Sequence, residues 1–172
     1  MILHVTYCSK KKAEGILPPD MLYKSERIRR FINKCKDRQV SWAILSAKYG
    51  FFFPEEKKKN YDTTFRSDKR YFLGIRVVEE GDKLPIEESK KYIEELRLLL
   101  LKQVEERQIQ HIVFYAPNPR RAKCYLALLH WTFDGCCEIH RDKELISHIE
   151  ESRRIKVIKS LDEIPPKTKT FP

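Results

Sequence analysis

The sequence predicts an α/β domain of three layers, with a mostly parallel sheet and helices on both faces. Three observations lead there. Residues 2–7, 40–47 and 110–116 are apolar, β-rich runs of strand length. Helical periodicity fills much of the chain between and after them. The order strand, helix, strand favours parallel neighbours. Neither an internal repeat nor a linker-like stretch interrupts the chain, so residues 1–164 read as one domain and 165–172 as a C-terminal tail.

The elements follow in order. "ILHVTY", residues 2–7, is the first strand. A polar loop follows, broken by Gly15 and Pro18-Pro19. Ser25 suits a helix N-cap, and Ile28, Phe31, Ile32 and Cys35 form the buried stripe of the helix. Arg27, Arg30 and Lys34 fall on its opposite face. "DRQ" closes this helix, and "VSWAILSA", residues 40–47, is the second strand. Residues 47–85 are irregular, with 71–78 reading as a strand or an edge segment. Gly81 and Pro85 turn the chain into a long helix over 86–107, with Ile93, Leu96, Leu100 and Val104 on one stripe. "LRLLLL" widens its apolar face, so it packs on more than one side. "QHIVFYA" is the third strand. In the next helix Asn118 caps and Pro119 takes the first position, while Ala122, Tyr125, Leu126, Leu129 and Phe133 face the core. "CCEIH", residues 136–140, reads as a further strand, "KELISHIEESRRI" as a short amphipathic helix, and "IKVIKSL" as an edge strand.

The formal net charge is +10, unevenly placed. Residues 1–70 hold 17 basic and 8 acidic side chains, and the remainder is nearly balanced. A basic half suits a phosphate-bearing partner, nucleic acid or nucleotide, or else a solvated surface. No apolar run has the length of a membrane span. The start, apolar first and lysines after, is the wrong order for a secretory signal, so a cytoplasmic protein is expected. Five cysteines in that setting argue against disulfides. The set Cys124, Cys136, Cys137 and His140 matches no common zinc spacing, and no metal or cofactor is expected. There is no dinucleotide fingerprint, phosphate-binding loop or nucleophile elbow.

Ligands of open α/β sheets bind beyond the carboxyl ends of the strands. Three loops qualify, after Tyr7, Ala47 and Ala116. The first carries Cys8, Ser9, Lys10, Lys11 and Lys12, hydroxyl and ammonium groups suited to an anion or to an exposed basic turn. The third leads into Asn118, Pro119, Arg120 and Arg121, two guanidinium groups at a helix start, where cations oppose the macrodipole and anions are welcome. The second brings Tyr49, Gly50 and three phenylalanines. Their rings either stack on a base or cover the core, and the core is favoured for most of the phenylalanines. Gly50 marks a turn of positive φ or a close approach. Asp62, next to Tyr61, accepts a hydrogen bond from a base, orients a water, or serves as a turn residue.

These stretches form an ordered set: "CSKKK", "LYKS", "ILSAKYGFFFP" and "NYD". The set resembles a group of α/β families. One is a family of unknown function from microbes and phages with a C-x-x-K, LY-x-S, ILSA-x-x-G and YD layout. Others are the peroxide-stress YaaA family and the central domain of archaeosine synthase, an enzyme that attaches lysine to a deazaguanine base in transfer RNA. The resemblance covers about residues 1–65 and implies a uracil-DNA-glycosylase-like sandwich tied to nucleobases or nucleic acid. Carried over, the motif residues are Cys8, Ser9 and Lys12, then Tyr23 and Ser25, then Ser46, Tyr49 and Gly50, then Tyr61 and Asp62. The expected function is recognition of a nucleobase or nucleotide in base modification or repair of DNA or transfer RNA, extending to chemistry at a base or its N-glycosidic bond. Asp62 would be the polar catalytic group and Lys12 an anion binder or, with its pKa depressed by burial, a nucleophile. The alternative is a non-catalytic nucleic-acid-binding module.

Overall fold

The computed structural model describes residues 1–135 and 142–166. Cys136, Cys137, His140, the strand expected at 136–140 and most of the expected tail lie outside them.

The elements run as follows. β1 (Ile2–Tyr7) leads through the short β2 (Ile16–Leu17) and α1 (Pro19–Leu22) into α2 (Glu26–Arg38). β3 (Trp42–Ser46), β4 (Gly50–Phe52), β5 (Lys58–Lys59) and β6 (Thr63–Ser67) follow. A 3₁₀ turn at Phe72–Gly74 precedes β7 (Ile75–Glu79), β8 (Asp82–Lys83) and α3 (Ile86–Glu106). β9 (His111–Tyr115), a second 3₁₀ turn at Pro119–Ala122, α4 (Lys123–Asp134), α5 (Asp142–Glu151), β10 (Ile155–Ile158) and a third 3₁₀ turn at Leu161–Glu163 follow in turn.

The main sheet has five strands in the order β10-β9-β1-β3-β4. Four run parallel, and β4 is antiparallel to β3, so the sheet is mixed. β3 is buried at every residue, as a strand covered on both faces should be. Helices lie on opposite faces of the sheet. Thr6 pairs with Tyr115 in register, and Phe31 of α2 stacks on Tyr115, with ring centroids 5.9 Å apart. Tyr7, the next residue along β1, points the other way and meets Tyr125 of α4 at 5.5 Å.

Two details depart from the sequence reading. "KYGFFFP" is less a loop than a hairpin. Gly50–Phe52 return along β3, pairing Ser46 with Gly50 and Ile44 with Phe52. All three phenylalanines are buried, and the new edge strand is covered by one side chain. Gln103 of α3 accepts from Phe51 N at 2.8 Å and donates to the carbonyls of Phe51 and Tyr49, which saturates an edge that would otherwise invite pairing. The irregular region also holds a separate antiparallel sheet, β6-β7-β8. Ser89 on α3 fastens it by accepting from Val77 N and donating to Ile75 O. α3 therefore packs on β4, β7 and α4, more than one side as its wide apolar face requires.

Candidate functional site

The four parallel strands end at one edge. Cys8 N donates to Leu45 O and Ala116 N to Ile158 O, both at 3.0 Å, which aligns the loops that leave the strands. β1 and β9 are neighbours, yet the chain departs from β1 toward α2 on one face and from β9 toward α4 on the other. Open α/β sheets take their ligands at such a reversal.

On one side of this edge the loop after β1 folds back onto the segment after α1. Ala13 N bonds Leu22 O at 2.7 Å, Lys24 N bonds Lys11 O at 2.9 Å, and Lys12 bridges to Tyr23. The pinned loop holds the Lys12 ammonium 4.2 Å from the centre of the Tyr61 ring and 5.9 Å from that of Tyr23. Beneath it lies a hydroxyl cluster. Ser46 Oγ donates to Tyr61 Oη at 2.9 Å, and Tyr61 Oη and Tyr23 Oη share a hydrogen at 2.7 Å. Burial pushes both phenols well above the ordinary value, so they stay protonated. Burial also lowers the Lys12 pKa, against the raising effect of the Cys8 thiol and the Asp62 carboxylate. Asp62 itself is exposed. With Tyr61, Lys10, Glu14, Lys59 and Glu80 it lines a groove of about 710 Å³.

The expected site residues thus divide. Lys12, Tyr23, Ser46, Tyr49 and Tyr61 form one contact set, and Asp62 and Cys8 act on Lys12 electrostatically. Tyr23 and Ser46 are fully buried, with their hydroxyls engaged internally, so they shape the floor and do not reach a ligand. Ser46 Oγ also accepts from Lys48 N and Tyr49 N, closing the turn into β4. Tyr49 is half-buried, sets its ring edge-on to Tyr61 at 5.2 Å, and donates to Lys59 O. Gly50 has φ +65°, and a Cβ there would meet Gln103 Oε1 at 2.5 Å, so its requirement comes from the fold. Ser25 stands at the N-cap of α2 but its side chain makes no cap bond. Ser9 keeps a buried Oγ without a partner. Cys8 is buried, its Sγ 3.1 Å from Tyr125 Oη.

Asn118, Arg120 and Arg121 are not part of this set. Asn118 accepts from Arg120 N, capping a 3₁₀ turn and not the α-helix expected there, and the arginines are exposed. Asn118 and Arg120 line a different cavity of about 460 Å³, beside β10 and α5.

One residue was expected on the solvent face and is not there. Arg27, in the first turn of α2, turns back onto the sheet. Its Nη1 donates to Thr6 Oγ1 and its Nη2 to Tyr7 O at 2.8 Å, and its guanidinium carbon lies 3.7 Å from the centre of the Tyr7 ring. The signal was present in the sequence: an arginine in a first helical turn opposes the macrodipole, the argument applied to Arg120 and Arg121. Among the described residues there is no group of three or more side chains fit to hold a metal, and no helix long and apolar enough to cross a membrane.

A family model described as a family of unknown function (DUF6884) matches residues 3–130, which take in β1 through most of α4. No curated protein and no solved structure matches, so the YaaA and archaeosine-synthase likeness gains no support from relatives.

Proposed function

This chain belongs to that family, whose function is unknown, and we propose that it recognises a nucleobase or nucleotide at the carboxyl edge of its parallel strands, in base modification or repair of DNA or transfer RNA. The observation that carries this reading is the groove lined by Lys10, Lys59, Tyr61 and the exposed carboxylate Asp62, with the Lys12 ammonium held on the ring of that same Tyr61. A base offers hydrogen-bond donors to a carboxylate, and a phosphate answers an ammonium. If the domain is catalytic, at a base or its N-glycosidic bond, Asp62 is the polar group that orients substrate or water, and the lowered pKa of Lys12 suits proton transfer or nucleophilic attack. A uracil-DNA-glycosylase-like three-layer sandwich is the fold reading in keeping with this, and helices against both faces support it.

A second reading is a non-catalytic module that tracks a nucleic-acid backbone. It is favoured by Lys10, Lys11, Lys57 and Lys59, all exposed and none in an ion pair among the described residues. Binding of single-stranded RNA and DNA oligomers and of 5′-nucleoside monophosphates, measured from low to high salt, separates the two. Under the first reading a nucleotide binds at the groove, and Asp62→Asn weakens it while the melting temperature is kept. Under the second, only oligomers bind, with an affinity that falls steeply with salt and does not respond to Asp62→Asn.

A further inference from the structure

We infer that Arg27 anchors a phosphoryl group at the carboxyl ends of β1 and β9, a site separate from the groove lined by Asp62 and independent of how that groove is assigned. Arg27 is held rigidly. Thr6 Oγ1 and the Tyr7 carbonyl take one N–H from each terminal nitrogen, and the Tyr7 ring lies beneath the plane. Thr6 in turn donates to Tyr115 O at 2.9 Å, so the guanidinium is tied through Thr6 to both β1 and β9. Among the described residues no carboxylate pairs with it, and both its hydrogen-bond acceptors are neutral.

A guanidinium drawn out of water without a counterion is costly unless an anion completes it. Three of its five N–H groups remain without a protein acceptor. Arg27 is only part-buried, so these N–H groups are not sealed in the core. The position itself is unfavourable for a cation, since α2 begins one residue earlier at Glu26 and its N-cap side chain satisfies no backbone N–H. A positive group added to a helix start that already attracts anions makes sense when an anion binds between them.

The basic excess of residues 1–70, 17 basic against 8 acidic side chains, favours the more highly charged anion, a phosphate over a carboxylate. The guanidinium fork matches two phosphate oxygens at once.

The test is titration calorimetry of the full chain at low salt with inorganic phosphate, acetate, 5′-AMP and adenosine, repeated on Arg27→Gln and Arg27→Lys. Phosphate and 5′-AMP should bind and acetate should not. Arg27→Gln should weaken both by about tenfold or more, the loss of one charge-assisted pair, and Arg27→Lys, with charge but no fork, should fall between. If Arg27→Gln does not fold, the Arg27 Nε–H resonance of the unaltered chain decides, shifting with phosphate if the site exists and standing still if it does not. Equal binding by Arg27→Gln, equal binding of acetate, or no phosphate binding would overturn the inference. Adenosine binding that ignores Arg27→Gln would leave the groove reading standing whatever happens here. Phosphate binding without adenosine binding would support Arg27 and count against the groove.

Discussion

The Tyr61 phenol receives the Ser46 hydroxyl from below at 2.9 Å while its ring carries the Lys12 ammonium from above at 4.2 Å. One side chain thus joins the core of the domain to its candidate site. The strand end supplies Ser46, the returning chain supplies Tyr61, and the loop after β1 supplies the cation. Whatever Lys12 does depends on an internal hydroxyl cluster that never meets solvent.

Tyr61→Phe keeps the ring under Lys12 and removes the oxygen shared by Ser46 and Tyr23. Tyr23 Oη is then buried without its partner, and Ser46 loses its acceptor. The expected cost is about 1–3 kcal/mol, the usual desolvation of an orphaned buried group. Thermal or urea unfolding reads it. A change within experimental error would mean that the cluster contributes nothing to stability.

Gly50→Ala combines a positive φ of +65° with a Cβ that displaces Gln103. Because Gln103 is anchored by three bonds to the edge strand, it cannot swing aside without releasing them. We expect a loss of about 2 kcal/mol. Gln103→Ala alone should destabilise by unsealing β4, and the double variant should cost less than the sum of the two, because the clash disappears with the glutamine. Strict additivity in a double-mutant cycle would contradict the contact.

His4 gives a pH dependence. It is buried on β1, and burial lowers its pKa below the ordinary 6.5 despite a bond with Ser41 O. The unfolded chain therefore takes up a proton near pH 6.5 that the folded chain refuses. This stability is present above that pH and is lost as pH falls from there toward the folded value, by at most about 1.4 kcal/mol per pH unit. Compared with His4→Gln at pH 7.5 and 5.5, the native protein should lose its relative advantage at the lower pH. A difference that does not change with pH would show that His4 titrates alike in both states.

Much of this frame was legible in the residues. The three runs of β-rich sequence became β1, β3 and β9, and the stripe Ile28, Phe31, Ile32 and Cys35 is buried as its spacing requires. The hairpin at Gly50 was not legible, because three consecutive phenylalanines carry no alternation when both faces of an edge strand are covered. β6 escaped for a related reason. "TTFRS" alternates weakly, and the strand is defined by its partner β7 more than by its own pattern. Arg27 was missed because helical periodicity assigns a residue to a face but does not say how far a long side chain reaches back. Asn118 was rightly read as a cap, but the turn it caps is 3₁₀, and periodicity does not distinguish the first turns of the two helices.

The central claim is that a base-bearing ligand occupies the groove beside Lys12 and Asp62. Its most direct test is a titration of the ¹⁵N-labelled full chain with each of the four common 5′-nucleoside monophosphates, followed through backbone amide shifts. Saturable shifts at Lys10 to Gly15 and at Tyr61 to Thr63, abolished by Asp62→Asn in a folded protein, are the predicted result. No saturable shift with any of the four, or shifts confined to Asn118, Arg120 and β10, would contradict it.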